Sequence, residues 1–170
     1  MPATEVLAVL RALEEVGCWI AVEGGWGVDA LVGRQTRPHR DLDLDVNATQ
    51  EQASLKVLER MGYAIETDWR PNRVELVAPG RGRVDVHPLA FDADGNGIQA
   101  GLNGERHLYP AASFVTGQIE GWAVRCLSVG QQIEWHAGYE LRESDLVDLA
   151  VLRDLARYPG GLGSCGRSES

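Results

Sequence analysis

The sequence predicts one α+β domain, in which a mixed, mostly antiparallel sheet is flanked by helices. Three observations lead to this fold class: apolar residues at helical spacing near both ends of the chain, short alternating strands between them, and glycine or proline turns that separate those strands. The chain has 170 residues, enough for one domain with a hydrophobic core and too few for two. We expect the domain to span residues 1–158 and the tail, residues 159–170, to be disordered because it has little to bury.

The N-terminal half alternates between helices and strands. Its first segment is predicted to be helical because Val6, Leu10 and Leu13 form an apolar stripe. Thr4 can cap the start of this helix, and Gly17 ends it. The predicted elements of this half are, in order, a helix over residues 4–16, a buried strand over 19–22, a short helix over 26–32, a polar loop over 34–40, a strand over 42–46 and a helix over 49–61.

The C-terminal half begins with a predicted antiparallel meander and ends in helices. Turns rich in proline and glycine, residues 70–72 and 79–82, separate its first three strands. Ser128 and Ser144 each precede an apolar segment at helical spacing and can cap the last two helices. The predicted elements of this half are strands over residues 64–67, 73–77 and 83–89, a hairpin region over 92–104, a strand over 124–127, and helices over 128–136 and 144–158.

Charge and composition narrow the class of protein. With 16 basic and 25 acidic residues the net charge is −9, which argues against a nucleic-acid partner and would attract a cationic small molecule. The sequence has neither an apolar run of the ~20 residues that span a membrane nor a signal-peptide pattern, so we expect no membrane partner. Cys18, Cys126 and Cys165 lack CxxC spacing, which argues against a zinc site or a disulfide framework and predicts a reducing, cytoplasmic location.

The densest cluster of chemically active side chains is Asp41-Leu42-Asp43-Leu44-Asp45. If this segment is a strand, alternate residues share a face, so the leucines point to the core and the carboxylates to the opposite face. Three like charges on one face repel each other, and a divalent cation such as magnesium is the simplest compensation. Neighbouring alternate residues lie ~6.6 Å apart and can share an ion, which leaves the pairs Asp41/Asp43 and Asp43/Asp45 both open. A solvated acidic edge strand is the alternative.

A strand-to-helix turn with two glycines, Gly24-Gly25, precedes this cluster. Backbone N–H groups at such a turn and at the helix N-terminus can bind phosphate, although a purely structural turn has the same pattern. The loop that follows the helix carries Arg37, His39 and Arg40 in an otherwise acidic chain. Beside a phosphate-binding turn and a metal, these three side chains are candidate ligands of a triphosphate.

A third carboxylate lies on a later predicted strand. Val84 and Val86 alternate with Asp85 and His87, so the acid and the imidazole share the face opposite the valines. If the strand with Asp85 lies beside the strand with the other aspartates, the three carboxylates form a cluster. Such a cluster can hold one or two metals and leave one acid free to accept a proton from an attacking hydroxyl. His87 is a candidate partner of that acid or substrate contact, and a structural histidine is the alternative.

These motifs together resemble the antibiotic nucleotidyltransferases of the polymerase-β-like superfamily. The shared pattern is Gly-Gly, a short helix, D-x-D on a strand and a third aspartate on a later strand. The second half of the chain resembles the small lincosamide nucleotidyltransferases, whereas aminoglycoside 2″-nucleotidyltransferases match this half less well. The resemblance covers about residues 5–155, and its motifs are Gly24–Asp29, His39–Asp45, Asp85–Pro88, His136–Leu141, Asp145 and Asp148.

The resemblance implies a nucleotidyltransferase fold and the transfer of AMP from ATP to a hydroxyl of a small antibiotic, with release of pyrophosphate. A lincosamide is the favoured substrate and an aminoglycoside the second choice. In this chain, Asp41, Asp43 and Asp85 would hold magnesium, Asp85 would also be the base, and Asp45 would lie outside the catalytic set. Small relatives often dimerise, so a homodimer that completes the substrate pocket is implied as well.

The resemblance to lincosamide enzymes further implies that His87, His136, Tyr139 and Glu140 bind the substrate. Tyr139 and Glu140 lie in a predicted loop between two helices, where they can present an aromatic face and a carboxylate to a sugar or an amine. Packing between those helices is the alternative. Two other functions stay open. One is a non-catalytic, antitoxin-like nucleotide-binding module, and the presence of three carboxylates argues against it. The other is nucleotidylation of a protein or of a tRNA end, and the negative net charge disfavours the tRNA.

Overall fold

The protein was analysed as a computed structural model, which describes residues 1–137 and 140–158. The helices in these ranges are α1 (Ala3–Glu15), α2 (Gly24–Val32), α3 (Glu51–Arg60), α4 (Val129–Trp135) and α5 (Glu143–Arg157). The strands are β1 (Ile20–Glu23), β2 (Asp41–Asn47), β3 (Ala64–Trp69), β4 (Arg73–Ala78), β5 (Gly82–Phe91), β6 (Gly97–Ala100), β7 (Arg106–Tyr109), β8 (Phe114–Ile119) and β9 (Trp122–Leu127). In the described part of the chain, no helix is long and apolar enough to cross a membrane.

These strands form a single mixed sheet. Its main path runs β3–β4–β5–β2–β1–β9–β8, and β6 and β7 continue from the far end of the long strand β5. β2 pairs with β5 in parallel, as β1 does with β9, and the other neighbouring strands are antiparallel. The predicted fold class, a mixed and mostly antiparallel sheet with flanking helices, is therefore confirmed.

The apolar side chains of β2 attach the centre of the sheet to two helices. Leu42, Leu44 and Val46 are fully buried and belong to the hydrophobic cluster that contains the apolar stripes of α1 and α3. Because side chains alternate along a strand, Asp41 and Asp43 face the other side of the sheet, as the spacing predicted. The α4 and α5 helices lie over that second face and enclose a cavity there.

The sequence pattern did not predict β7 and β8. β7 is only four residues long, and a single short strand gives little periodicity. β8 contains Gly117, which weakens a strand pattern. A Cβ at Gly117 would lie 2.5 Å from the carbonyl oxygen of Ala30, so glycine is required here for α2 to pack against the strand.

Two of the predicted helix caps are wrong. Thr4 lies inside α1, which begins one residue earlier. Ser144 lies inside α5, and the carboxylate of Asp145 instead accepts a hydrogen bond of 2.8 Å from the backbone N–H of Arg142. The predicted Ser128 cap of α4 is confirmed. The tail predicted to be disordered, residues 159–170, lies outside the described residues.

Candidate active site

Four carboxylates lie in one row across four adjacent strands. The register pairs Glu23 of β1 with Asp43 of β2, Asp43 with Asp85 of β5, and Asp85 with Glu75 of β4. Asp43 and Asp85 are far apart in the chain, and the parallel pairing of β2 with β5 brings them together. The row forms part of the wall of a cavity of about 1230 Å³.

The cavity combines charged, backbone and aromatic surfaces. The N-terminus of α2 contributes Gly24 and Gly25. An aromatic group from β7 and α4 lines another part of the wall, in which Trp135 packs against Tyr109 and His107 with ring centroids 5.0 Å and 5.7 Å away. Such a mixture of polar and aromatic walls suits a small molecule with both polar and apolar parts.

Asp85 has one oxygen held by the protein and one that is not. Arg73 donates a hydrogen bond to Oδ2 of Asp85 through Nη1. Oδ1 is buried and has no hydrogen-bond partner among the described residues. Burial raises the pKa of Asp85 to about 6, although Arg73 opposes this shift. A cavity-lining carboxylate with this pKa and one unengaged oxygen can accept a proton near neutral pH.

Gly24 lets the N-terminus of α2 approach Asp43 closely. Its φ is +58°, and a Cβ at this position would lie 2.2 Å from Oδ2 of Asp43. Burial raises the pKa of Asp43 well above its usual range, and the neighbouring carboxylates, Asp41 first, raise it further. The carboxylates of the row therefore repel each other strongly unless a proton or a cation lies between them.

The residues present fit a magnesium ion. Asp43, Asp85 and His87 each offer a ligand atom within 4.8 Å of the other two, and Asp41 lines the same cavity. The unpartnered Oδ1 of Asp85 and the raised pKa of Asp43 are features that a bound cation would relieve. Carboxylate oxygens are the ligands that magnesium prefers, so Asp41, Asp43 and Asp85 are the candidate ligands.

Asp45 lies in a different environment from Asp41 and Asp43, although alternation predicted that all three share one face of the strand. It is fully buried, does not line the cavity, and neither of its carboxylate oxygens has a hydrogen-bond partner among the described residues. Burial, and then the charge of Asp43, raise the pKa of Asp45 well above its usual range. Of the two aspartate pairs that spacing left open, only Asp41/Asp43 faces the cavity.

His87 lies between the acidic row and a buried amide. Its Nε2 is 3.4 Å from Oε1 of Glu23 and 3.8 Å from Oδ2 of Asp85, and its Nδ1 is 2.9 Å from Nε2 of Gln99. Burial lowers the pKa of His87 to about 3, and Arg73 contributes, so the ring is neutral at pH 7. His87 therefore contacts the candidate base rather than filling the core.

Arg37 and Arg40 both line the cavity, and a Cβ at Gly25 would lie 2.6 Å from Nη2 of Arg37. Arg37 is oriented by Asp148 of α5, whose carboxylate accepts hydrogen bonds from its Nε and Nη2. Arg40 is exposed and has no ion-pair partner within residues 1–137 and 140–158. Arg40 is therefore available to an anion in the cavity, whereas Arg37 is already bonded to Asp148 and to the carbonyl oxygen of Pro38 and can add only its remaining N–H donors.

The third predicted triphosphate ligand, His39, lies behind this wall. It is buried, and its Nε2 is 2.5 Å from Oδ2 of Asp29 in α2. The other oxygen of Asp29 accepts a hydrogen bond of 2.9 Å from the backbone N–H of Thr36. A Cβ at Gly25 would lie 2.4 Å from Nδ1 of His39. In this structure His39 supports the loop and the glycine turn and is not part of the cavity lining.

The predicted substrate-binding residues have different locations. His87 and His136 line the cavity, and Nδ1 of His136 donates a hydrogen bond of 2.6 Å to the carbonyl oxygen of Gln132. Glu140 is exposed and does not line the cavity. Tyr139 lies outside the described residues.

Several cavity residues belong to no motif recognised in the sequence. One signal was present: Glu23 is a charged residue at the end of the apolar run of β1, directly before the two glycines. Arg73, Gln99 and Trp135 have no comparable signal, because each reaches the site through strand pairing or helix packing that is remote in the chain.

The fold and the paired aspartates of β2 and β5 define a protein of the nucleotidyltransferase class. The crystal structure of a lincosamide antibiotic adenylyltransferase with lincomycin bound superimposes with a TM-score of 0.84 at 34% identity, over 91% of this chain and 98% of that one. The family model described as aminoglycoside-2″-adenylyltransferase matches residues 5–152, and the chain belongs to this family.

Two relatives of this chain are named for different classes of antibiotic. The lincosamide resistance protein of Staphylococcus haemolyticus is 34% identical over 151 residues, which cover 89% of this chain and 94% of that protein. The 2″-aminoglycoside nucleotidyltransferase of Escherichia coli is 28% identical over 153 residues, which cover 85% of this chain and 77% of that protein. The predicted resemblance to lincosamide nucleotidyltransferases is confirmed, and the aminoglycoside enzyme is the more distant of the two.

Proposed function

We propose that this protein transfers AMP from ATP to a hydroxyl of a lincosamide antibiotic and releases pyrophosphate. The pairing of Asp43 with Asp85 across β2 and β5, in a cavity that also contains Gly24-Gly25 and two arginines, carries the proposal. Similarity over most of both chains to a lincosamide resistance protein supports the substrate class.

The triphosphate of ATP binds at the N-terminus of α2. Backbone N–H groups of the first helical turn donate to phosphate oxygens, and the helix dipole favours the negative charge. Arg40 has no ion-pair partner among the described residues and Arg37 is held in place by Asp148, so both guanidinium groups can bind phosphate oxygens. These contacts fix the α-phosphorus relative to the acidic row, and such positioning is a large part of catalysis in phosphoryl-type transfer.

Asp85 is the general base. The acceptor hydroxyl attacks the α-phosphorus, its proton moves to Oδ1 of Asp85, and the bond from the α-phosphorus to the oxygen of the leaving pyrophosphate breaks in line. Arg73 holds the other carboxylate oxygen, so the orientation of the base is set before the acceptor binds.

Magnesium is the expected metal, with Asp41, Asp43 and Asp85 as its ligands. When bound, it neutralises charge on the triphosphate and stabilises the leaving group. Asp43 then keeps its carboxylate ionised, and Gly24 leaves the space that this carboxylate needs.

The aromatic part of the cavity favours a lincosamide over an aminoglycoside. Net charge does not decide between them, because both classes of drug carry amines and the chain has a charge of −9. Trp135, Tyr109 and His107 offer ring surfaces to an acceptor that is partly apolar, as a lincosamide is. The higher identity to the lincosamide relative, 34% against 28%, points in the same direction.

The test is an adduct assay with the full chain. The protein is incubated with magnesium, ATP and either lincomycin or kanamycin, and drug–AMP and pyrophosphate are measured by mass spectrometry, with Asp43→Asn as the inactive control. We expect lincomycin–AMP. An adduct with kanamycin alone would transfer the assignment to aminoglycosides, and neither adduct nor pyrophosphate would favour the non-catalytic nucleotide-binding module.

A homodimer without a nucleic-acid partner is also part of the proposal. Leu146 and Val147 of α5 are exposed apolar residues, and Val147 lines the cavity. A second copy that covers them would complete the acceptor pocket. Light scattering at assay concentration measures the mass of the particle, and a monomer that is fully active would remove this part of the proposal.

A further inference from the structure

Gln99 of β6 is a buried amide that bridges three other elements of the site. The hydroxyl of Tyr109 donates a hydrogen bond of 3.0 Å to its Oε1. Its Nε2 donates a hydrogen bond of 3.1 Å to the backbone carbonyl oxygen of Asn72 and lies 2.9 Å from Nδ1 of His87. Gln99 is 7% exposed, so these protein groups satisfy most of its hydrogen-bonding capacity.

The carbonyl of Asn72 determines which end of the amide faces His87. A carbonyl oxygen can only accept a hydrogen bond, so the Gln99 atom beside it must be the NH₂ group. The second hydrogen of that NH₂ group points to the imidazole, and Nδ1 of His87 must therefore accept. A ring whose Nδ1 accepts is neutral and has its single proton on Nε2.

The proton on Nε2 points to the acidic row. This nitrogen lies 3.4 Å from Oε1 of Glu23 and 3.8 Å from Oδ2 of Asp85, and it has no hydrogen-bond partner among the described residues. A protonated imidazole nitrogen cannot bind a metal, although distance alone would allow His87 to join Asp43 and Asp85 as a ligand.

We propose that Gln99 is a positioning residue that holds His87 in the Nε2–H tautomer, so that the N–H group of His87 faces the carboxylates of the site and His87 is not a metal ligand. Gln99 thereby keeps the ligand set purely carboxylate, which suits a hard cation such as magnesium. The inference deepens the proposed function, but its first measurement does not require turnover.

The test is ¹⁵N NMR of the imidazole rings in the full chain at a pH where they are neutral. We expect the proton of His87 on Nε2, both before and after magnesium is added. His136 is the internal reference for the opposite tautomer, because its Nδ1 donates to a carbonyl oxygen. The His87 signals are assigned by their loss in His87→Asn. A proton on Nδ1 of His87, or loss of the Nε2 proton when magnesium binds, would overturn the proposal.

Two variants separate positioning from simple packing. Gln99→Met keeps the size of the side chain and removes the amide, so we expect a mixture of His87 tautomers, with kcat lowered about 10-fold and little change in the KM for ATP. Gln118→Met, on the exposed side of β8, should leave both the spectrum and kcat unchanged. An unchanged His87 spectrum in folded Gln99→Met would refute the role of Gln99, whereas the absence of turnover in every form would refute only the proposed function.

Discussion

Arg37 and Asp148 are 111 residues apart in the chain and form a bidentate ion pair. Nε of Arg37 lies 2.8 Å from Oδ1 of Asp148, and Nη2 lies 2.5 Å from Oδ2. Asp148 is 1% exposed, and Arg37 lines the cavity. The pair therefore attaches the C-terminal helix to the loop after α2 and orients one of the two cations of the proposed triphosphate site.

Asp148→Asn should weaken both the fold and the binding of ATP. The variant leaves Arg37 without its charged partner, so we expect a loss of about 2–3 kcal/mol in the free energy of unfolding, less than for a fully buried pair because Arg37 is partly exposed. The KM for ATP should rise more than kcat falls. Urea unfolding and steady-state kinetics measure the two effects, and Asp154→Asn, on an exposed position of the same helix, is the control.

Gly24→Ala and Gly33→Ala form a matched pair at the two ends of α2. Both glycines have positive φ, so both variants should lose about 1–2 kcal/mol of stability through the strain of a left-handed alanine, and Gly24→Ala should lose more because of a steric clash. Only at Gly24 does the new methyl group meet a side chain, the carboxylate of Asp43. We expect a loss of adenylyl transfer of more than 100-fold for Gly24→Ala alone, and equal activity in the two variants would contradict the proposed role of Asp43.

The three aspartates of β2 should respond differently to substitution by asparagine. Asp41→Asn and Asp43→Asn should abolish turnover and keep the fold, because these carboxylates face the cavity. Asp45→Asn should retain most activity, since Asp45 is buried away from it. Drug–AMP formation and circular dichroism report the two properties. A larger loss for Asp45→Asn than for Asp43→Asn would mean that the register assigned to the metal pair is wrong.

Asp85→Asn should retain binding of ATP and magnesium through Asp41 and Asp43, while the rate falls about 10²–10⁴-fold, the scale for removal of a general base. In the wild type, burial raises the pKa of Asp85 to about 6. The base must be ionised to accept a proton, and a bound cation can only lower its pKa. We therefore expect kcat/KM to decrease as the pH falls through a value at or below about 6. If calorimetry shows instead that Asp85→Asn no longer binds magnesium, Asp85 is primarily a ligand and the base lies elsewhere.

Glu5→Gln should reduce stability in a pH-dependent way. Hydrogen bonds from Arg81, and also from Tyr63, lower the pKa of Glu5 in the folded protein, against the opposing effect of burial. The stabilisation is therefore complete above the unfolded pKa of about 4.3 and is lost as the pH falls through the lower, folded pKa. We expect Glu5→Gln to cost about 1 kcal/mol near neutral pH.

Urea midpoints at two pH values provide this measurement. The difference from wild type should shrink as the pH approaches about 3, because protonated Glu5 no longer pairs with Arg81. Glu59→Gln, exposed on α3, should leave the midpoints unchanged at both pH values. A constant difference between Glu5→Gln and wild type would show that packing, and not the charge of Glu5, stabilises this contact.

The sequence by itself determined the features that depend on neighbours close in the chain. The alternation of Leu42 and Leu44 with Asp41 and Asp43 encodes both the strand β2 and the faces of its side chains, because successive residues of a strand point to opposite sides. The two glycines that begin α2 and the cap at Ser128 are likewise local. From these motifs the α+β class and the candidate catalytic aspartates could be predicted.

The tertiary structure alone decided which strands are neighbours and how deeply each side chain is buried. Asp85 reaches Asp43 only because β5 lies parallel to β2, and the same order brings Glu23 and Gln99 to the site. Asp45 has the spacing of a cavity residue but is fully buried. Periodicity reports the face of a side chain and carries no information on depth or strand order, which follow from packing between segments that are remote in the chain.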